Sequence, residues 1–396
     1  MLIIPLCQAR VVTTIFLIFA IIILTISSNT LAYAMPPAWN LVETNNSPSP
    51  RRSHAMVYDP DNKLVVVFGG YGNGSHLGDT WILNSTMNNW VEMHTSVAPS
   101  PRAATTILYD PDQKQMILFG GFAFGHSIVS NETWSYSYAS NTWTNLQPKN
   151  APSERASYGM AYDSTRKNMV LFGGFTESGY FNDLWVYTPR DNIWKEVPVN
   201  GDVPSPRGAM GFVYDTINDN FILFGGFSEK GFFNDTWIFD PKTNNWTLVE
   251  PIASPPPVRT RMIFDETSGK AFFFGGDVIS GESEEPSPKP YSKTWAYDPK
   301  ANKWEEVLAA DSPAARGLNG IAYDSARHTA IMFGGTDSLI DEANFVGHEF
   351  NDLWEFPLAE LGGDDLLGSL PIWIFPLGAV AAVAIVIIGL LARKRH

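Results

Sequence analysis

Cysteine is nearly missing from this chain: Cys7 is the only one in 396 residues. The absence excludes a disulfide scaffold, thiolate metal centres and a cysteine nucleophile anywhere beyond the first few residues. Positive charge is also scarce, with 27 Lys and Arg against 41 Asp and Glu. Four of the basic residues (Arg10, Arg393, Lys394, Arg395) sit in apolar end segments that hold no acid, so the stretch between carries a net −18. Such a surface repels nucleic acid and anionic lipid and favours solubility. No Ser/His/Asp arrangement, phosphate loop or dinucleotide fingerprint occurs, and no cofactor is expected. His76, His126 and His348 fall in comparable loops, but nothing in their spacing fixes a metal geometry, so no metal is expected.

What is present is a repeat. Phe-Gly-Gly occurs six times, with first glycines at Gly69, Gly120, Gly173, Gly225, Gly275 and Gly334. Their separations are 51, 53, 52, 50 and 59 residues. An Asp lies ten residues before each first glycine: Asp59, Asp110, Asp163, Asp215, Asp265 and Asp324. In five copies an Arg leads the repeat eight residues earlier, at Arg51, Arg102, Arg155, Arg207 and Arg316; the fifth copy has Pro257 there. Tryptophans nine apart follow: Trp81/Trp90, Trp134/Trp143, Trp185/Trp194, Trp237/Trp246 and Trp295/Trp304. Trp354 has no successor, whereas Trp39 stands unpaired before the first copy.

A period near 50 marks one supersecondary unit copied along the chain. Each copy reads as four strands, A to D. Strand A runs up to the Asp, a polar turn follows, and strand B is almost wholly apolar, as in Leu64-Val65-Val66-Val67-Phe68. The glycines admit positive φ where strand B ends, and strands C and D carry the tryptophans. Sheets repeated radially form a propeller, and the lone Trp39 would supply strand D of the last blade, closing the ring. The apolar run into Gly-Gly, the spaced tryptophans and the Pro-Arg lead resemble the kelch repeat over about residues 38–357. The resemblance implies an all-β, six-bladed kelch-type β-propeller closed by its N-terminal strand, over residues 35–359. It also implies mainly structural roles for the Gly pair, the Trp pair and the leading Arg. Kelch-type copper-radical oxidases need a Tyr–Cys crosslink that this chain cannot make.

The ends carry their own signals. Residues 1–34 hold one basic residue, an apolar stretch from Val11 to Ile26 and the small-residue pattern Ala32-Tyr33-Ala34, which reads as a secretory signal peptide. After a short linker, 360–369, residues 370–391 are long and apolar enough for one transmembrane helix. The tail 392–396 contains Arg393-Lys394-Arg395, which places that end in the cytoplasm. The expectation is a single-pass plasma-membrane protein with the propeller outside the cell and a C-terminal anchor. Asn73, Asn84, Asn131, Asn234 and Asn245 are glycosylation candidates.

Variable loops on a rigid scaffold usually carry function, and here the B–C loops vary. They present aromatics that suit a sugar face or a protein partner: Phe122, Phe124, Phe175, Tyr180, Phe227 and Phe232. Alternate strand A positions should face the axis and are mostly small, but the fifth copy places Arg259 and Arg261 there. They form either an anion grip or a displaced leading Arg beside an arginine paired to a neighbouring acid. The function expected is recognition of an extracellular protein or glycan through the B–C/D–A loop face. An alternative, suggested by resemblance to kelch-type sialic-acid mutarotases, is a sugar-processing enzyme.

Overall fold

The computed structural model describes residues 37–123, 128–279, 288–337, 339–340 and 345–358. The chain divides into units 1–359 and 360–396, and the second lies outside the described residues. So do the expected signal peptide, membrane span and basic tail. No helix among the described residues is long and apolar enough to cross a membrane.

The described part is all-β. Six four-stranded antiparallel sheets follow one another. The first is built from Ala55–Asp59, Leu64–Gly72, Ser75–Asn84 and Asn89–Glu92. The sixth is assembled from both ends of the repeat region: Gly320–Asp324, Thr329–Phe333 and Leu353–Pro357 are completed by Asn40–Val42, with Leu41 opposite Trp354. The inner strands of successive sheets are neighbours, and the sixth also lies beside the first.

One aromatic contact, repeated six times, holds adjacent sheets together. The Phe of each Phe-Gly-Gly packs on the outer-strand Trp of the next sheet, with ring centroids 4.5–5.0 Å apart: Phe68–Trp143, Phe119–Trp194, Phe172–Trp246, Phe224–Trp304, Phe274–Trp39 and Phe333–Trp90. Trp39 is 1% exposed and donates its indole N–H to Thr294 of the fifth sheet at 3.0 Å. The glycines are required by the same junctions. Gly69 has φ +63°, and a Cβ there would come within 2.6 Å of the Arg102 carbonyl. Gly70 donates its N–H to that carbonyl at 2.9 Å. A side chain would force the sheets apart.

The leading arginines are buried pins. Arg51, Arg102, Arg155, Arg207 and Arg316 are at most 1% exposed. Each donates Nη1 to the first glycine carbonyl of its own repeat at 3.0–3.1 Å. Each also grips a carboxylate: Asp79, Glu132, Asp183, Asp235 and Asp352, four of the five as two-oxygen forks. The same carboxylates accept the indole N–H of Trp81, Trp134, Trp185, Trp237 and Trp354 at 2.6–3.0 Å. Phe181, Phe233 and Phe350 lie over three of these guanidiniums at 3.9–4.2 Å. A charge-assisted fork with further acceptors satisfies a buried guanidinium, so these residues lock strands A, B and C together.

Candidate functional site

The fifth sheet breaks this pattern in a way that opens a site. Counting from its glycines puts Pro257 at the leading position, but the fold puts Val258 there. The Gly226 N–H bonds to the Val258 carbonyl at 2.8 Å, as Gly70 does to Arg102. From the other end, Ile263 pairs with Phe272 just as Val57 pairs with Val66. The inner strand is therefore one residue short between Thr260 and Ile263. Its regular part is only Ile263–Asp265, where every other sheet has five residues. Arg261 alone stands where the others have two residues, such as His54-Ala55 or Tyr158-Gly159. The carboxylate of the pin is absent as well: Lys293 occupies the place two residues before Trp295, whose indole turns to the Tyr291 hydroxyl.

All six inner strands enclose a cavity of about 270 Å3. At one level a belt of backbone hydrogen bonds runs from sheet to sheet: Thr260 to Ala209, Ala209 to Ser157, Ser157 to Ala104, Ala104 to Ser53 and Ser53 to Leu318, at 2.6–3.1 Å. Ser53, Ala104, Ser157, Ala209 and Leu318 hold φ of 50–57° to make it, a conformation that non-glycine residues rarely adopt. Further along the strands the lining is aliphatic, from Val57, Leu108, Ile263 and Ala322.

Both sequence-expected arginines line this cavity, in different states. Arg259 is internally paired, its Nε 2.7 Å from Asp277 Oδ2, with the carboxylate 3% exposed. Burial raises the Asp277 pKa, and the Arg259 charge offsets this only in part. Of the two readings of Arg261, the pairing with an acid is not seen among the described residues: its one hydrogen bond there runs from Nη2 to the Thr105 carbonyl at 3.2 Å. Arg261 is part-buried and lines the cavity. Burial lowers its pKa, opposed only by Tyr158. Nearby His54 is fully buried, neither ring nitrogen is bonded among the described residues, and burial, then Arg51 and Arg261, hold its pKa well below the usual range.

The loop aromatics gather beside Arg259. Phe175, Tyr180, Phe227 and Phe232 form a half-buried chain with centroids 5.5–6.0 Å apart, spanning the third and fourth sheets. The Arg259 guanidinium lies 5.5 Å from the Phe227 ring and 5.8 Å from that of Phe232. Phe122 is separate from this group and packs 5.6 Å from His76. Phe124 lies outside the described residues. Asn73, Asn131, Asn234 and Asn245 are exposed, whereas the Asn84 amide oxygen is engaged by Thr86 and the Met87 N–H.

Sequence reasoning missed three features of the site. The pin carboxylates carried a visible signal, an acid two residues before Trp in five copies. Asp277 carried one too, since the residue after Gly-Gly is Tyr71, Phe122, Phe175 or Phe227 in four repeats. Arg52 was hidden by its neighbour Arg51; it pairs with Glu349 at 2.5 Å, stacks 4.4 Å from Tyr71, and is close enough to Arg259 to feel its charge.

Residues 37–208 and 161–361 match the KLHDC2/KLHL20/DRC7 Kelch-repeats domain. The chain is 30% identical over 204 residues to Tip elongation aberrant protein 1 of Schizosaccharomyces pombe, covering 49% of this chain and 17% of that protein. It is 25% identical over 243 residues to human Host cell factor 2, covering 58% and 30%. It is 25% identical over 274 residues to rat Host cell factor 1, covering 63% and 13%. The matched region is thus less than a third of each relative's length.

Proposed function

The chain belongs to the kelch-repeat family, and on that premise we propose that it is a recognition module acting at the cell surface. Its β-propeller is read as six-bladed and closed by the N-terminal strand; the Asn40–Val42 pairing and the Phe274–Trp39 and Phe333–Trp90 contacts support that reading. Export by residues 1–34 and anchoring by 370–391 rest on the sequence pattern of the two ends. The ligand is a protein or glycan bound on the B–C/D–A loop face. The observation that carries this is the half-exposed chain Phe175–Tyr180–Phe227–Phe232 ending on Arg259. Flat rings next to a fixed guanidinium give contact area at low entropy cost, as in binding hot spots.

The sugar-processing alternative draws support from the cavity lined by Arg259 and Arg261, with Asp277 paired to Arg259. Against it, the Asp277 carboxylate is occupied by Arg259, so this cluster offers no free acid–base pair.

The test is a glycan array and proximity labelling on intact cells, with the full chain and with Tyr180→Ala/Phe227→Ala. Recognition at this face predicts loss of the same binders in the double variant with folding retained. Unchanged binders would sink the assignment of the face. Protease shaving of intact cells checks topology: a protected propeller would reverse the proposed orientation.

A further inference from the structure

Arg261 is a part-buried cation that lines the cavity and has no counter-charge among the described residues. A guanidinium carries five N–H donors and keeps its proton in proteins. Here one hydrogen bond, to the Thr105 carbonyl, is all that the described residues supply. The other arginines around the axis are neutralised, Arg259 by Asp277 and Arg52 by Glu349. The five pins all hold carboxylates. Among the described residues, one net positive charge therefore faces the cavity, between the belt with Ser53, Ser157 and Thr260 on one side and the aliphatic level of Val57, Leu108, Ile263 and Ala322 on the other. A charge stripped of part of its hydration and given no partner costs stability, so an apolar residue of similar volume would be favoured there. The shortened strand instead pushes this side chain into open space.

We propose that the axial cavity binds a short, singly charged carboxylate, held by Arg261. The fork of the guanidinium matches the two oxygens of a carboxylate, which is how the same chain satisfies its pins. A single uncompensated cation selects a monoanion over a di- or trianion. The belt hydroxyls give a polar wall for the head group, and the aliphatic level closes the far side to charge. This site is independent of the loop-face reading: it involves none of the aromatic chain, and either can fail alone.

The test uses the purified full chain, with sodium acetate and sodium lactate as probes, sodium citrate as the polyanion and sodium chloride at matched ionic strength as the control. Thermal unfolding and calorimetric titration are read on wild type, Arg261→Met and Arg261→Lys. A ligand that binds only the folded state raises the melting temperature with concentration. Wild type should show a saturable rise with acetate or lactate and none with citrate beyond chloride. Arg261→Met should melt above wild type without carboxylate and show no carboxylate response. Arg261→Lys keeps the charge but loses the fork, and should bind at least about 10-fold more weakly. No wild-type response to either monocarboxylate would overturn the proposal. So would a rise with citrate equal to that with lactate, an Arg261→Met protein that melts below wild type or fails to fold, or an Arg261→Lys protein that binds as tightly as wild type.

Discussion

The fifth sheet and its five counterparts solve one folding problem in two ways. In the five, a buried arginine bridges its own glycine turn and the carboxylate before Trp, and the inner strand is regular over five residues. In the fifth, Val258 and Lys293 replace both partners, the strand is one residue short, and a new ion pair, Arg259–Asp277, forms nearer the axis. The five-fold pattern is what a blade needs to lock. The exception shows that a sheet can give up that lock when its neighbours hold it, and that the slack can be used to aim a side chain inward.

Breaking a lock should cost most. Arg155→Ala leaves Asp183 half-buried without its partner and empties a 0%-exposed site, so urea unfolding should show a loss of about 3–5 kcal/mol. Val258→Ala, at the corresponding place in the fifth sheet, should lose clearly less, about 1–3 kcal/mol. Equal losses would mean that the arginine is not the lock. Trp39→Ala tests the junction of the fifth and sixth sheets and should cost about 3–5 kcal/mol; an unchanged melting temperature would show that the N-terminal strand does not close the structure.

Acid separates the two solutions next. Burial opposes ionisation of Asp79 and Asp352, but the hydrogen bonds and charge of Arg51 and Arg316 outweigh it and hold both below the ordinary carboxylate range. Their contribution is complete above the unfolded pKa of about 4 and disappears as pH falls through the lower folded values. Asp277, raised by burial, has the opposite sign: ionisation at neutral pH costs stability that protonation restores. Hydrogen exchange on acidification should therefore show the Gly334 amide, bonded to the Asp352 carbonyl, opening before the Gly275 amide, bonded to the Lys293 carbonyl. The reverse order would refute the assignment.

Rebuilding the lock is the gentler change. Val258→Arg with Lys293→Asp should show favourable coupling of about 1–2 kcal/mol in a double-mutant cycle, since the site keeps the Gly275 turn that the other arginines use. Zero coupling would mean that the shortened strand no longer accommodates the pair. Smallest is Tyr180→Ala, whose ring is half exposed; stability should move by less than about 1 kcal/mol while loop-face binding weakens.

Much of this was legible in one dimension because it repeats. Six Phe-Gly-Gly triplets, nine-residue Trp spacing and the lone Trp39 marked the repeated strands, the sheet boundaries and the N-terminal strand that pairs beside Trp354, since each unit must bury the same face against the next. The period also flagged Arg259 and Arg261 as departures. It could not say which residue filled which place. Counting from the glycines assumes that every strand is equally long, so it named Pro257 where the fold uses Val258. It also read Arg259 and Arg261 as equivalents two residues apart on one face. Where a missing residue is absorbed depends on hydrogen bonds made to the neighbouring sheets, Gly226 to Val258 and Thr260 to Ala209, which are not local in sequence. The partners of buried charges were likewise decided only in three dimensions. Asp277 reaches Arg259 across a strand pairing, and Arg261 ends on the Thr105 carbonyl, 156 residues away in the chain. A repeat dictates the contacts that every unit shares, and only packing decides what a unit does when it departs from them.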